Sequence, residues 1–323
     1  PVGFCITEIP LGRKLAQRPG YQLGPRNNRG PKVTHFYFID DLKVVESNEK
    51  DLQETNDIVT GISQDTGMTF GVSKCAEAVY KRGKMTKGEG LQIDNNKAEC
   101  LNPEECEYYK FLGIEEGDGQ LDEKAKERVI EECFKRVESL RKTELYERNI
   151  IKALNTMCMS AVTYVMNIVH FSRPELEHLD VRMRKTLKEM NWMDDKSSEE
   201  RLYMTIESGG RGLLSFEYIY NIAKIRISNY LSHTKDPLLQ TVLNRELAKT
   251  NSKSITRQAE VAFQDVGIKV KFDRNKIQVN GEDLNGTHQQ TASKLKKLYQ
   301  NKYQERLEKT YKEKKVQSKI WSD

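Results

Sequence analysis

Two adjacent carboxylates, Asp40 and Asp41, interrupt a run of aromatic and β-branched residues, "HFYFIDDLKVVES", from His35 to Ser47. Val33, His35, Tyr37 and Ile39 alternate with Thr34, Phe36 and Phe38, and apolar residues resume at Leu42, Val44 and Val45. The pattern predicts two strands with the aspartates where a β-hairpin turns. Asp-Asp is a good turn former, because its short side chains bond the local backbone and tolerate unusual dihedrals. The same pair raised on a rigid hairpin is also a hard, anionic oxygen site suited to Mg²⁺. Such a site serves phosphoryl transfer, in which two ions about 3.5–4 Å apart clamp the attacking and leaving oxygens. A two-metal site draws on a further carboxylate from elsewhere, so the pair alone leaves both readings open.

The surrounding elements follow from periodicity. Residues 1–31 hold an apolar stretch, "PVGFCITEIPLGRKL", and a Gly, Pro and Asn cluster, together read as a short strand and a turn. After the Asp-Asp hairpin, Asn48 or Asp51 caps an amphipathic helix with Leu52, Val59 and Ile62 on one face, ended between Gly61 and Gly67. "MTFGVSKCAEAVYKRGKM" alternates toward strand, and "YYKFLGI" is a short strand closed by Gly113. From Leu121 the period turns helical. A first helix opens on Asp122 as N-cap, a second runs from Ile150 to Val169, and a third starts at Pro174, so that three amphipathic faces should pack as a small bundle. Gly209, Gly210 and Gly212 lack the lysine and spacing of a phosphate-binding loop and read as a structural turn before a further helix. Asn280-Gly281 signals a β-hairpin, and Leu295, Leu298, Tyr299, Leu307 and Tyr311 recur at helical spacing in the last segment.

Composition bounds the class. The chain has 323 residues, 37% hydrophobic and 31% charged, enough for a real core in one or two domains. No apolar run approaches the roughly 18 residues of a membrane span, and no charged segment followed by an apolar one opens the sequence, so the expectation is an intracellular protein, nuclear or cytoplasmic, without membrane partners. The abrupt start at Pro1 suggests a fragment that begins inside an element. Cys5, Cys75, Cys100, Cys106, Cys133 and Cys158 form no CxxC pair, which argues against a zinc module and a disulfide scaffold. Net charge is +5, but Thr287 to Asp323 carries ten Lys or Arg against four Asp or Glu, a local +6 that leaves −1 for the rest. A basic stripe attracts phosphates, and a lysine-rich tail is also often a solvated helix.

Read in order, "FIDD", "GMTFGVSKC" and "YKFLGI" resemble the successive palm motifs of a reverse transcriptase of the non-LTR retrotransposon type. "PVGFCITEIPL" resembles the back half of the preceding motif, and "LDVRMRKTLKEM" with "RLYMTIESGGRGLLSFE" resembles the segment that ends the thumb, so the likeness covers roughly residues 1–231. The resemblance implies an α+β fold: a partial palm sheet over 1–120, a helical thumb over 121–192, a connector with a small β-hairpin over 193–286 and a basic helical tail over 287–323. It implies an RNA-directed DNA polymerase, a nucleotidyltransferase that forms part of a longer protein. Its partners would be an RNA template, a DNA primer, deoxynucleoside triphosphates and the missing N-terminal fingers and palm segment that supplies the other essential aspartate. By the same resemblance Asp40 and Asp41 hold Mg²⁺, with Mn²⁺ as a substitute, Lys74 neutralises the leaving pyrophosphate, and Phe111, Leu112 and Gly113 grip the primer end. Lys294, Lys296, Lys297, Lys302 and Arg306 of the tail are the expected backbone contacts to nucleic acid. The competing expectation is a non-catalytic RNA- or DNA-binding protein derived from a decayed or domesticated element. A third is a poorly folding remnant with an unpaired strand edge.

Overall fold

The computed structural model describes residues 9–24, 29–69, 71–93, 96–105, 107–117, 121–249, 251 and 253–314, with the backbone alone for Leu121 and Glu147. It is a mixed α+β structure, 55% helical, with small sheets and a mostly helical C-terminal half. The chain divides into two compact units, Pro1–Lys124 and Ala125–Asp323. Among the described residues no helix is long and apolar enough to cross a membrane. The opening stretch before Ile9, Cys5, Cys106 and the basic segment after Lys314 lie outside the described residues.

The first unit opens on α1 (Ile9–Ala16), where the sequence pattern predicts only a strand and a turn. Leu11 and Leu15, one helical turn apart, give α1 its buried face, and Pro10 sits in the first turn, where its missing N–H costs nothing. The short strands β1 (Tyr21–Gln22) and β2 (Lys32–Val33) pair antiparallel, as do β3 (His35–Phe38) and β4 (Asp41–Val44). Then comes α2 (Glu49–Asp65), capped by Asn48, whose side chain accepts from the Asp51 N–H. Leu11, Leu15 and Val59 form a small core that takes in Tyr37, Leu42, Ile58 and Ile62, so the β3–β4 hairpin is bolted by its inner face onto α1 and α2. A 3₁₀ turn, Val72–Lys74, leads to β5 (Ala76–Glu77), the β6 (Val79–Lys81) and β7 (Lys84–Thr86) hairpin, and β8 (Leu91–Ile93) and β9 (Asn96–Cys100). β9 is central in a three-stranded sheet, parallel to β5 and antiparallel to β8. β10 (Tyr109–Phe111) and β11 (Ile114–Glu116) make the last hairpin, turning through Leu112 and Gly113 at φ 47° and 80°.

The second unit holds α3 (Leu121–Arg141), which straddles the boundary. Asp122 lies inside its first turn rather than at its cap, where a carboxylate still favours the helix dipole. The expected second helix is α4 (Glu147–Ala153) and α5 (Met159–Ile168) joined by a π-helical turn, Leu154–Cys158. α6 (Arg173–Glu189) opens on a capping box between Ser172 and Glu175, with Pro174 in the first turn. After α7 (Glu199–Tyr203) and the glycine-rich loop comes α8 (Phe216–His233), followed by α9 (Pro237–Ala248) and α10 (Ile255–Asp265). A meander of β12 (Val270–Asp273), β13 (Lys276–Val279) and β14 (Glu282–Asp283) precedes α11 (His288–Glu313). Asn280-Gly281 turns β13 into β14, and a second turn at Arg274-Asn275 joins β12 to β13.

The basic segment is not a solvated tail over its described length. Leu295, Tyr299 and Tyr303 of α11 are buried in one core with Ile225 of α8, Phe263 of α10 and Phe272 and Ile277 of the meander. Residues four apart share a helix face, so an apolar stripe is carried through a lysine-rich sequence. Asn221 donates to the Tyr299 hydroxyl at 2.7 Å and Ser215 bonds Tyr303 at 2.8 Å, which satisfies the polar tips of two buried rings.

Candidate metal-binding hairpin

The β3–β4 register pairs Phe38 with Asp41 and Tyr37 with Leu42, which leaves Ile39 and Asp40 as a two-residue turn. Asp40 and Asp41 are both exposed, at and beside the tip. Ile39 has φ 58°, a left-handed dihedral that a β-branched residue adopts only when its surroundings force it. Two-residue hairpins prefer a positive φ at the first central position and normally place glycine, asparagine or aspartate there. Here the strain falls on the residue immediately before the carboxylates. Phe36 and Phe38 point away from the core and are 40% and 57% exposed, so the outer face of the hairpin is apolar as well as acidic at its end.

Two separate sequence motifs meet at this hairpin. Lys43, on β4, pairs with Glu116 of β11 and lies 5.1 Å from the centre of the Phe111 ring. That contact ties the Asp-Asp hairpin to the Phe111-Leu112-Gly113 turn across 73 residues of sequence. Burial pushes the Tyr109 phenol up, and the negative charges of Asp41 and Glu116 push it the same way. Cys75 follows Lys74, which is exposed in the 3₁₀ turn. His35, which bonds Thr34 at 2.9 Å and stands edge-on to Tyr37, is held below its ordinary pKa by burial.

The donor set fits a hard cation in part. Two adjacent exposed carboxylates match Mg²⁺, which takes one or two protein carboxylates together with water and substrate phosphates. Among the described residues no group of three or more His, Cys, Asp or Glu could hold a metal ion. A second bridging ion would need a carboxylate from outside those residues.

The tail residues are placed separately, in the second unit. Lys296 and Lys297 are exposed on α11. Lys294 donates to the Asn285 carbonyl, and Lys302 pairs with Glu305 one turn on. Arg306 is committed to Glu217 through one guanidinium nitrogen, at 3.0 and 3.2 Å to the two carboxylate oxygens, and lies 5.0 Å from the Tyr303 ring centre. Lys43, Glu116 and Tyr109 carry no sequence signal of their own, because their partners are distant in the chain. No protein-family model matches this chain, and comparison with the curated proteins gives no match.

Proposed function

We propose that the chain is part of an RNA-directed DNA polymerase of the non-LTR retrotransposon kind, acting on an RNA template, a DNA primer and deoxynucleoside triphosphates. The observation that carries the reading is the tip of the β3–β4 hairpin, where two exposed carboxylates follow a strained Ile39 on a hairpin that Lys43 ties to Phe111 and Glu116. Asp40 and Asp41 present oxygen donors from a hairpin fixed to α1 and α2. Mg²⁺ bound there would activate the primer 3′-hydroxyl and stabilise the leaving pyrophosphate. Lys74, exposed beside Cys75, neutralises charge on the departing phosphates. The Leu112-Gly113 turn brings bare backbone toward the primer end, and Lys43 holds that turn in register with the aspartates.

A second reading, a nucleic-acid-binding protein without catalysis, is favoured by one observation: the described residues supply two carboxylates where a two-metal clamp draws on more. Complementation separates the two. The chain joined behind the fingers and first palm strand of a non-LTR reverse transcriptase is expected to extend an annealed primer with Mg²⁺. Asp40→Asn or Asp41→Asn should lower the rate about a hundredfold, the scale of losing one element of electrostatic stabilisation at a reacting centre. Extension that survives both substitutions would end the polymerase reading, and strand binding without extension in the unsubstituted fusion would favour the second.

A further inference from the structure

The stretch Ala153–Val169, which covers the π-helical turn and α5, contains no Asp, Glu, Lys, Arg or His in a chain of which 31% is charged. Its inner side holds Leu154, Cys158, Met159, Val162, Val165 and Met166, all buried. Its outer side is apolar as well. Met157, Tyr164 and Ile168 are 53%, 48% and 50% exposed, with half-buried Ala161 between them. Positions 157, 161, 164 and 168 share one helix face, so the four side chains form a single stripe where a surface helix ordinarily carries charge.

The polar residues beside the stripe spend their donors on their own helix. The Thr156 hydroxyl donates to the Lys152 carbonyl at 2.8 Å, Ser160 to Met157 at 3.3 Å and Thr163 to Met159 at 2.9 Å, and the Asn167 amide donates to Thr163 at 2.8 Å. A donor bonded back in this way stays satisfied when water is expelled, which removes most of the cost of burying it. At the Met157 end, Arg136 of α3 donates to the Met157 carbonyl at 2.8 Å and pairs with Glu132 at 2.8 Å, so that border is neutral too. The face is prepared for an apolar, uncharged partner.

The stripe is also palindromic. Its spacings of four, three and four residues read the same in both directions, and Ala161 is small where Tyr164, equally far from the centre, is large. A two-fold axis through that centre lays Tyr164 of one copy over Ala161 of the other and Ile168 against Met157, each contact made twice. We propose that this face of α5 binds the same face of a second copy of the chain, as an isologous antiparallel helix pair. Free of charge, it meets its own copy with no like charges opposed. The stripe is about 17 Å long at about 1.5 Å per residue, a small contact, so the dimer is expected to form reversibly in the micromolar range. The inference does not rest on the polymerase reading, and its failure would leave Asp40 and Asp41 untouched.

Sedimentation equilibrium of the full chain between about 1 and 100 µM tests it, with a monomer–dimer equilibrium expected across that range. Ala161→Glu and Tyr164→Lys should each weaken self-association about tenfold or more, because each sets a charge against an apolar partner as water leaves. Mixed one to one, the two variants should associate again. The antiparallel register sets the new carboxylate of one copy beside the new ammonium of the other and keeps one contact of Tyr164 with Ala161 across the axis. Recovery on mixing also separates a lost contact from a lost fold, since two misfolded chains would not restore each other. Tyr146→Glu, at an 84% exposed ring outside the stripe, should leave the equilibrium unchanged. A monomer at every concentration, a dimer that survives both single variants, a mixture no more associated than its components, or an equal loss in the Tyr146 variant would each overturn the proposal.

Discussion

Asp180→Ala is expected to lower the unfolding free energy of the helical unit by about 3–5 kcal/mol, at roughly 1–3 kcal/mol for each of two buried donors left without an acceptor plus the void the side chain leaves. The reason lies in where the backbone donors of α8 go. Its first turn presents the N–H groups of Phe216, Glu217 and Tyr218 with no partner inside the helix. Asp180, 6% exposed on α6, takes the first at 2.9 Å and the second at 3.4 Å, and Ser215 takes the third at 3.0 Å. Alanine would leave two donors at a buried helix start without acceptors and open a small void beside them. Urea unfolding followed by far-ultraviolet circular dichroism measures the loss, and a change under about 1 kcal/mol would mean that water replaces the carboxylate, contrary to its burial.

The same carboxyl should make stability fall as pH rises. Burial pushes the Asp180 acid up from 3.8 to about 7, against the lowering effect of the two backbone N–H groups and the Arg184 charge and with a further push from Glu217. A group that holds its proton more tightly when folded stabilises the fold below its unfolded pKa. That contribution is lost as pH climbs through the folded value. The window here runs from about pH 4 to about pH 7, and three pKa units correspond to about 4 kcal/mol. Asp180→Asn cannot titrate, so the difference between the two proteins' unfolding free energies should change across that window. Parallel pH profiles would rule out Asp180 as the source.

Legibility in the sequence divides along contact distance. The Asp40-Asp41 hairpin, the Asn48 cap, the helix start at Pro174 and the Asn280-Gly281 turn are set by residues within a few positions of one another, and pattern reading reaches them. The Lys43–Glu116 pair and the Asp180 cap on α8 join residues 73 and 36 positions apart, and no local pattern marks them. α11 is an intermediate case. Leu295, Tyr299 and Tyr303 give a buried stripe every four residues, and the stripe is visible in the sequence, but the lysines around it suggest a solvated arm. The strain at Ile39 is hidden for a different reason: a β-branched residue is the last one that propensity would place at a left-handed dihedral. Local rules miss a position of this kind because the packed hairpin, rather than the residue itself, dictates its backbone.

Gly210→Ala should be nearly as damaging as loss of Asp180, at about 3 kcal/mol or more, although it adds a single methyl group. A Cβ at position 210 would stand 2.2 Å from the Met204 carbonyl oxygen and 2.5 Å from both its carbonyl carbon and its Cβ. Most of these are main-chain atoms, so no side-chain rotation relieves the clash, and the backbone cannot retreat without breaking the bonds that fold the loop. Those bonds run from the Gly210 N–H to Thr205, from Arg211 to Arg201, from Gly212 to Met204 and from Leu213 to Leu202, all at 2.8–3.0 Å. The loop is in turn stitched to α11, where Gln304 accepts from the Thr205 N–H at 3.0 Å and donates to the Tyr203 carbonyl at 3.3 Å. Gly61→Ala is the contrasting case. Gly61 lies inside α2, and a methyl group there would meet nothing within 4 Å, so alanine should stabilise the first unit by about 0.5–1 kcal/mol through helix propensity and a less disordered unfolded chain. Urea midpoints that shift in opposite directions for the two substitutions would establish that close backbone approach, rather than glycine content, fixes the 204–215 loop. A Gly210→Ala midpoint equal to the parent's would show that the loop can part from Met204 at no cost.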